Sequence, residues 1–507
     1  MHSSAPDTRA PRDVGLRITT PGESLYAARD TPTPARTSTV TIPAAPEPGR
    51  PRQLSSLDLQ LLDLETDSAP MHVGTVTVLD SAAAPETPLD VTSLRQLFAD
   101  RLHLIAPLRR RLRTVPFGLD LPYWEDCDYI DLGYHIRHIR LPDDAGDEHL
   151  ADYVARRHAA PLDRTRPLWE CDLISGLADG RQAVYTKIHH SVIDGISGAE
   201  IMAVILDLHP ESLPTPPPAD GISRDRNPST AELLARSLPN MIGRQAIRVQ
   251  SLLHAGPALL QARDDLRAKH PDVPIKAPTT PTRSLAYTSL PLDAVKNIKD
   301  RVDGTVNDVV MELCTSALRR WLLDHDQPAD HPLVAAIPVS VRTPEQFGTA
   351  GNQFSLMLTA LPIAEPDPEH RLEQLHSNLL EAKKRFQTQP PTLLHKATSL
   401  LTPLLHGRPT RALLRAAAPS LPLVDLVISN VPGPQIPLYL RGIRVQHSYP
   451  VSLLTELAGS LNITVMSYDG HLDFGIVACP DDFPDVWDLA DHLHKALADL
   501  EQSPGRP

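Results

Sequence analysis

The chain has 507 residues, 52 of them proline, and its 49 basic and 62 acidic side chains leave a formal charge of −13. That length exceeds what one hydrophobic core ordinarily serves, so two domains are expected, and the acidic balance excludes a nucleic-acid binder, which needs a basic face. No apolar run reaches the roughly 18 to 20 residues that cross a bilayer, the polar start Met1–Asp13 lacks a secretory h-region, and four scattered cysteines form neither a CxxC pair nor a disulfide framework, as expected of a cytoplasmic protein.

Residues 1–53 carry nine prolines among Ser, Thr, Ala and Arg, with no lasting period, and are expected to form a disordered tail. Val73–Leu79 alternates as a strand does. Leu94–Ile105 reads as a helix, interrupted before the basic run Arg109–Arg113 by Pro107. Gln182–His190 is a further strand and Ser197–Leu208 a helix. Proline clusters at 210–228 and 271–281 mark a linker over 209–283, with the amphipathic stretch Ala231–Lys269 between them. Thr305–Leu323 reads as a helix: Thr305 caps it, Asp308 completes a capping box, and Val309, Val310, Leu313, Cys314, Ala317, Leu318 and Trp321 form one stripe. Asp469-Gly470 between two apolar runs predicts a hairpin. The expectation is a mixed α/β protein with domains at 54–208 and 284–500 and a short tail, 501–507.

The segment richest in chemistry is Val184-Tyr-Thr-Lys-Ile-His-His-Ser-Val-Ile-Asp-Gly195. Along a strand, Val184, Thr186, Ile188 and His190 share one face and His189 takes the other. An imidazole at a strand end titrates near neutrality and can accept a proton from a hydroxyl. Neighbours on a strand point to opposite faces and cannot share one ion, which argues against a metal site. The pair alone suits packing as well as catalysis. Asp194, close in sequence, is expected to pin the turn by pairing with an arginine or bonding backbone amides.

This segment resembles the HHxxxDG motif of the coenzyme A-dependent acyltransferase superfamily. Further blocks resemble the bacterial wax ester synthase/diacylglycerol acyltransferases in order: Leu57-Asp-Leu-Gln-Leu-Leu-Asp-Leu-Glu65, Pro70-Met-His-Val-Gly74, Pro161-Leu-Asp-Arg-Thr-Arg-Pro-Leu-Trp-Glu170, Thr305-Val-Asn-Asp308, Pro338-Val-Ser-Val-Arg342, Gly351-Asn352, Ser429-Asn-Val-Pro-Gly-Pro434 and Ser467-Tyr-Asp-Gly470. The likeness spans about 54–500. One departure is Lys276–Ala286, where the family's Pro-Leu-Asn stretch is missing and Arg283 matches the arginine that follows it.

The resemblance implies two chloramphenicol-acetyltransferase-like domains forming a pseudo-dimer, with the active site in a channel between them. It implies transfer of a fatty acyl group from acyl-CoA, a co-substrate, to diacylglycerol or a long-chain alcohol, without cofactor or metal. His190 is then the general base and His189 shapes the strand end. Asp194 pairs with Arg342, with Arg283 as a second candidate. Asn307 donates a hydrogen bond in the cleft or, equally, serves the helix N-terminus. Gly195, Pro167, Leu168, Trp169 and Asn352 are candidate substrate-binding positions, with core and turn packing the simpler role for Pro167, Leu168 and Trp169. Arg109–Arg113 and Lys383-Lys384-Arg385 are candidates for the phosphate-facing mouth, against the commoner role of solvated helix faces. Peripheral contact with the inner membrane or lipid inclusions follows from the substrates, and Leu394–Leu423 and Ala231–Lys269 are candidate lipid-facing surfaces. Two other readings remain: the same chemistry on a polyketide alcohol or amine, and a non-catalytic lipid-droplet surface protein.

Overall fold

The structure is a computed structural model that describes residues 52–81, 88–116, 119–193, 201–211, 227–237, 279–340, 354–388, 424–455 and 458–503. The first half runs β1 (Arg52–Gln53), α1 (Ser56–Leu64), β2 (His72–Leu79), α2 (Val91–Arg101), β3 (Arg110–Arg113), β4 (Tyr123–Asp126), α3 (Leu132–His135), β5 (Ile136–Ala145), α4 (Asp147–Ala159), β6 (Trp169–Leu177) and β7 (Gln182–His189). The second runs β8 (Ser284–Pro291), α5 (Leu292–Arg301), α6 (Val306–Asp324), β9 (Leu333–Ser340), β10 (Phe354–Leu361), α7 (Pro368–Thr388), β11 (Leu426–Val431), β12 (Tyr439–Leu440), β13 (Ile443–Val451), β14 (Leu461–Tyr468), β15 (His471–Ala478) and α8 (Val486–Gln502).

Local chemistry accounts for the element ends. Asp90 caps α2 by accepting from the Thr92 and Ser93 amides at 2.7 and 3.0 Å. Thr305 and Asp308 form the capping box of α6, and Ser55 and Asp58 build another on α1. Asp469 and Gly470 take φ of 43° and 83°, a two-residue turn that joins β14 to β15. The expected strand over Gln182–His190 stops one residue early, because the Val192 amide closes a turn onto the His189 carbonyl at 2.9 Å. Arg52 and Gln53, assigned to the tail from sequence, pair instead with Trp124 and Tyr123 of β4.

Two six-stranded sheets dominate, ordered β12-β13-β2-β7-β6-β5 and β10-β9-β11-β14-β15-β8, beside a three-stranded sheet β1-β4-β3. The first large sheet therefore takes two strands from the second half of the chain. Over 284–500, sequence suggests one self-contained unit; in the fold, Tyr439–Val451 leaves it, because β13 satisfies its backbone groups along β2 in antiparallel register.

Each sheet has its own core. Leu94, Phe98, Trp169, Leu173, Ile188 and Val192 belong to one, and Val309, Leu313, Leu318, Phe474 and Leu493 to the other. A third cluster joins the halves, drawing Val76, Val154 and Tyr185 from the first and Leu285, Tyr287, Tyr449 and Val477 from the second. Helix α6 is buried on the predicted stripe and on its other faces as well. There the Glu312 carboxylate accepts from Arg371 Nε at 3.0 Å and Ser316 Oγ at 2.9 Å, the pairing that a buried charge requires.

Among the described glycines, Gly475 has the least room, where β15 packs against β13. A methyl group added at Gly475 would stand 1.7 Å from the Pro450 carbonyl oxygen. Gly475→Ala is expected to destabilise the protein by about 1–3 kcal/mol or more through overpacking, read as a lower urea midpoint. A wild-type midpoint would show that the contact adjusts freely.

Candidate active site

The histidine pair sits where β7 ends, and three sequence blocks meet around it. On one side the His190 amide donates to the Met71 carbonyl at 2.8 Å; on the other the His189 amide donates to the Leu168 carbonyl at 3.0 Å. The turn is thus gripped by Pro70–Gly74 and by Pro167–Trp169. Within the first grip Gly74 leaves room for Tyr185, whose ring would lie 3.0 Å from an added Cβ, with the Thr186 carbonyl oxygen at 2.5 Å. Within the second, Leu168 and Trp169 are core residues: the Trp169 ring stacks between Phe98 and His135, and its Nε1 donates to the Leu108 carbonyl at 2.9 Å.

The two histidines have different surroundings. His190 is half-buried, whereas His189 is 1% exposed. The Ser191 amide donates to His189 Nδ1 at 3.1 Å, and Ser191 Oγ lies 2.8 Å from the same nitrogen. Nδ1 is therefore the acceptor, and the proton of the neutral ring sits on Nε2. Burial lowers the His189 pKa to about 4, so the ring is neutral at pH 7. Its Nε2 faces Glu65 Oε1 at 3.5 Å, and His72 Nε2 faces the same oxygen at 3.4 Å.

Both distances exceed the ~2.7–3.2 Å of an N–H···O bond, and neither Nε2 makes a hydrogen bond among the described residues. Burial works against the Glu65 carboxylate, but His189, His72 and the Arg164 guanidinium together hold it well below the usual carboxylate range. His72 Nδ1 donates to the His158 carbonyl at 3.1 Å. His158 in turn donates from Nε2 to the Ser452 carbonyl at 3.1 Å and accepts from the Tyr185 hydroxyl at 2.8 Å. Sequence reasoning missed Glu65, His158 and Tyr185; the ends of the Leu57 and Pro70 blocks held the only signal for Glu65 and His72.

In the second half, Thr305 and Asp308 satisfy the α6 cap between them, which leaves Asn307 for another role. Asn307 is buried on the first turn of α6, and its Oδ1 accepts from Asn430 Nδ2 at 3.4 Å. Asn430 lies on β11 just before Gly433, whose amide donates to Ser467 Oγ at 3.1 Å. The next residue, Tyr468, enters the same core as Ile188 and Val192, on either side of the histidines.

The Arg109–Arg113 run is not a solvated helix face. Arg109 and Arg110 are buried, and the two acids of strand β4 pair with the run, Asp126 with Arg110 at 3.0 Å and Glu125 with Arg111 at 2.9 Å. Lys383-Lys384-Arg385 does lie on a largely exposed face of α7. Arg283 spends its guanidinium on backbone carbonyls, including Ser68 at 2.6 Å and Thr282 at 2.7 Å. Asp194, Gly195, Arg342, Asn352, Leu394–Leu423 and nearly all of Ala231–Lys269 fall outside the described residues.

Two large sheets, one of them taking two strands from the other half of the chain, with a histidine pair ending a central strand, define a two-domain acyltransferase of the chloramphenicol-acetyltransferase type. The chain belongs to the wax ester synthase/diacylglycerol acyltransferase family: that family's catalytic-domain model matches residues 54–310 and its C-terminal domain model residues 350–501. It is 34% identical over 472 residues to a Mycobacterium tuberculosis protein assigned as a diacylglycerol O-acyltransferase, covering 91% of this chain and 92% of the relative. It is 30% identical to the O-acyltransferase WSD of Acinetobacter baylyi, covering 88% of this chain and 96% of that protein. The wax ester synthase/diacylglycerol acyltransferase of Marinobacter aquaeolei VT8 superposes with a TM-score of 0.66 at 29% identity, covering 90% of this chain and all (100%) of that one. The first condensation domain of the calcium-dependent antibiotic synthetase shares the fold alone, with a TM-score of 0.54 at 18% identity over 90% of this chain and 97% of that one.

The buried neutral histidines make stability depend on pH. Burial lowers the pKa of His158 as well as that of His189, while the unfolded chain titrates near 6.5. The unfolded state then binds protons that the folded state excludes, so stability is complete above pH 6.5 and falls as pH drops towards 4. At pH 5 His189 alone should lower the unfolding free energy by about 2 kcal/mol. Urea titrations at pH 7 and 5 measure it, and His189→Gln should shrink the difference by that amount. An unchanged difference in the variant would sink the assignment.

Proposed function

We propose that the protein moves a long-chain fatty acyl group from acyl-CoA to the hydroxyl of diacylglycerol, with long-chain alcohols as second acceptors and His190 as general base. The observation that carries this reading is the double backbone grip on the His189–His190 turn, which leaves His190 half-buried at the end of a rigid strand. A base held on a strand end suits proton transfer, worth typically about 10²- to 10⁴-fold.

In the proposed reaction the neutral His190 imidazole takes the acceptor's hydroxyl proton as its oxygen attacks the thioester carbonyl. The tetrahedral intermediate collapses, the C–S bond breaks, and the leaving thiolate takes the proton back from His190. The products are an ester and free coenzyme A, with no covalent enzyme intermediate and no cofactor in the scheme. Asn307 is assigned to the developing oxyanion: with its Oδ1 engaged by Asn430, its Nδ2 is the group left to donate.

Palmitoyl-CoA offered with diacylglycerol, hexadecanol or an amine, with thiol release followed, tests the reading. His190→Ala is expected to lower kcat about 10²- to 10⁴-fold. Equal release by the variant would remove His190 as base, and turnover of the amine alone would reassign the acceptor.

Such acceptors lie in membranes or lipid inclusions, and among the described residues no helix is long and apolar enough to cross a membrane. Peripheral association is therefore part of the proposal. The protein is expected to float with liposomes containing diacylglycerol; protein left wholly in the soluble fraction would count against it.

A further inference from the structure

Glu65 ends α1 as its C-cap, and its carboxylate lies under the histidine turn. Its side chain is 13% exposed, against 0% and 1% for the His72 and His189 rings it faces. His72 and His189 are register partners across β2 and β7. One oxygen, Oε1, thus touches both strands at the pair directly before the bond that holds His190 to Met71. The Met71 amide also reaches Oε1, at 3.5 Å. The other oxygen, Oε2, takes the Arg164 guanidinium, which also donates to the Leu62 carbonyl at 2.9 Å. Arg164 belongs to the segment leading into Pro167–Trp169, so the carboxylate connects both flanking grips.

We propose that Glu65 is a positioning residue for acyl transfer, fixing His189 and the ends of β2 and β7 so that His190 meets its substrate in one orientation. The mechanism is geometric. His189 Nδ1 accepts from Ser191, which leaves the proton on Nε2, and the Glu65 carboxylate 3.5 Å from Nε2 favours that tautomer and ring orientation electrostatically. The ring's backbone is the first corner of the turn that carries His190. A displaced base loses rate steeply, about 100-fold for an error near 1 Å. The inference rests on His190 being the base, as proposed above.

The test compares Glu65→Gln, Glu65→Asp, Arg164→Met and His190→Ala with wild type, as kcat and KM for palmitoyl-CoA per folded enzyme. Glu65→Gln keeps the volume but loses the charge; it is expected to lower kcat about 10- to 100-fold with KM unchanged. Glu65→Asp keeps the charge and should recover part of that rate. Arg164→Met alters a partly exposed partner, so it should remain folded and lower kcat in the same sense by a smaller factor. Activity that falls only with the folded fraction, or wild-type kcat in Glu65→Gln, overturns the proposal. If Glu65→Gln does not fold, wild-type kcat in Arg164→Met overturns it instead. An active His190→Ala would defeat the base assignment itself, whereas an inactive His190→Ala beside a fully active Glu65→Gln would defeat the Glu65 proposal alone.

Discussion

Strand β13 is bonded to one sheet while its sequence neighbours build the other, and the arrangement of the site depends on that division. Along β2 it completes the first large sheet. On its far side, Asp473 of β15 reaches across with a fully buried carboxylate, taking the Ser448 amide at 2.7 Å and His447 Nδ1 at 3.1 Å. A buried carboxylate without donors would cost several kcal/mol, so this contact has to form when the two sheets meet. At the end of β14 a second fixed point forms, where the Tyr468 hydroxyl accepts from the Leu438 amide at 2.9 Å and donates to the Val445 carbonyl at 3.1 Å. Two polar clasps on one strand fix how the two sheets meet.

Much of this fold was legible in the sequence because it rests on local chemistry. Thr305 with Asp308, Asp469 with Gly470, and the alternation of Val73–Leu79 each state their conformation within a few residues. The exchange of β12 and β13 was not legible, because pairing β13 with β2 joins Val451 to Gly74 across most of the chain. Burial on all sides of α6 was hidden for a related reason. Glu312 reads as a solvent-facing residue until Arg371, on a different helix, is placed against it.

The site divides in the same way. The motif spacing identifies the histidine pair, and the family resemblance names the blocks around it, but neither tells what each block does. The structure gives Leu168 a backbone role, holding the His189 amide, and gives Trp169 a packing role between Phe98 and His135. It separates Asn307 from the capping function that its sequence setting suggested, since Thr305 and Asp308 already supply both capping bonds. The basic run at Arg109–Arg113 shows how far composition can mislead, because Arg110 and Arg111 are paired with acids on the next strand.

What adjacency means for the two histidines follows from these contacts. Consecutive residues on a strand look to opposite sides, and a turn begins between them. His189 therefore faces inward, where burial keeps it neutral, Ser191 bonds Nδ1 and the Glu65 carboxylate faces Nε2. A ring only 1% exposed is shut off from a substrate. His190, one residue on, bonds Met71 through its amide and is half-buried. The row of buried polar groups behind them, from Glu65 through His72 to His158 and the Ser452 carbonyl, crosses from one half of the chain to the other. The polar groups beneath the turn thus also help bind the two halves together, so a change in how the sheets meet bears directly on the strand end that carries His190.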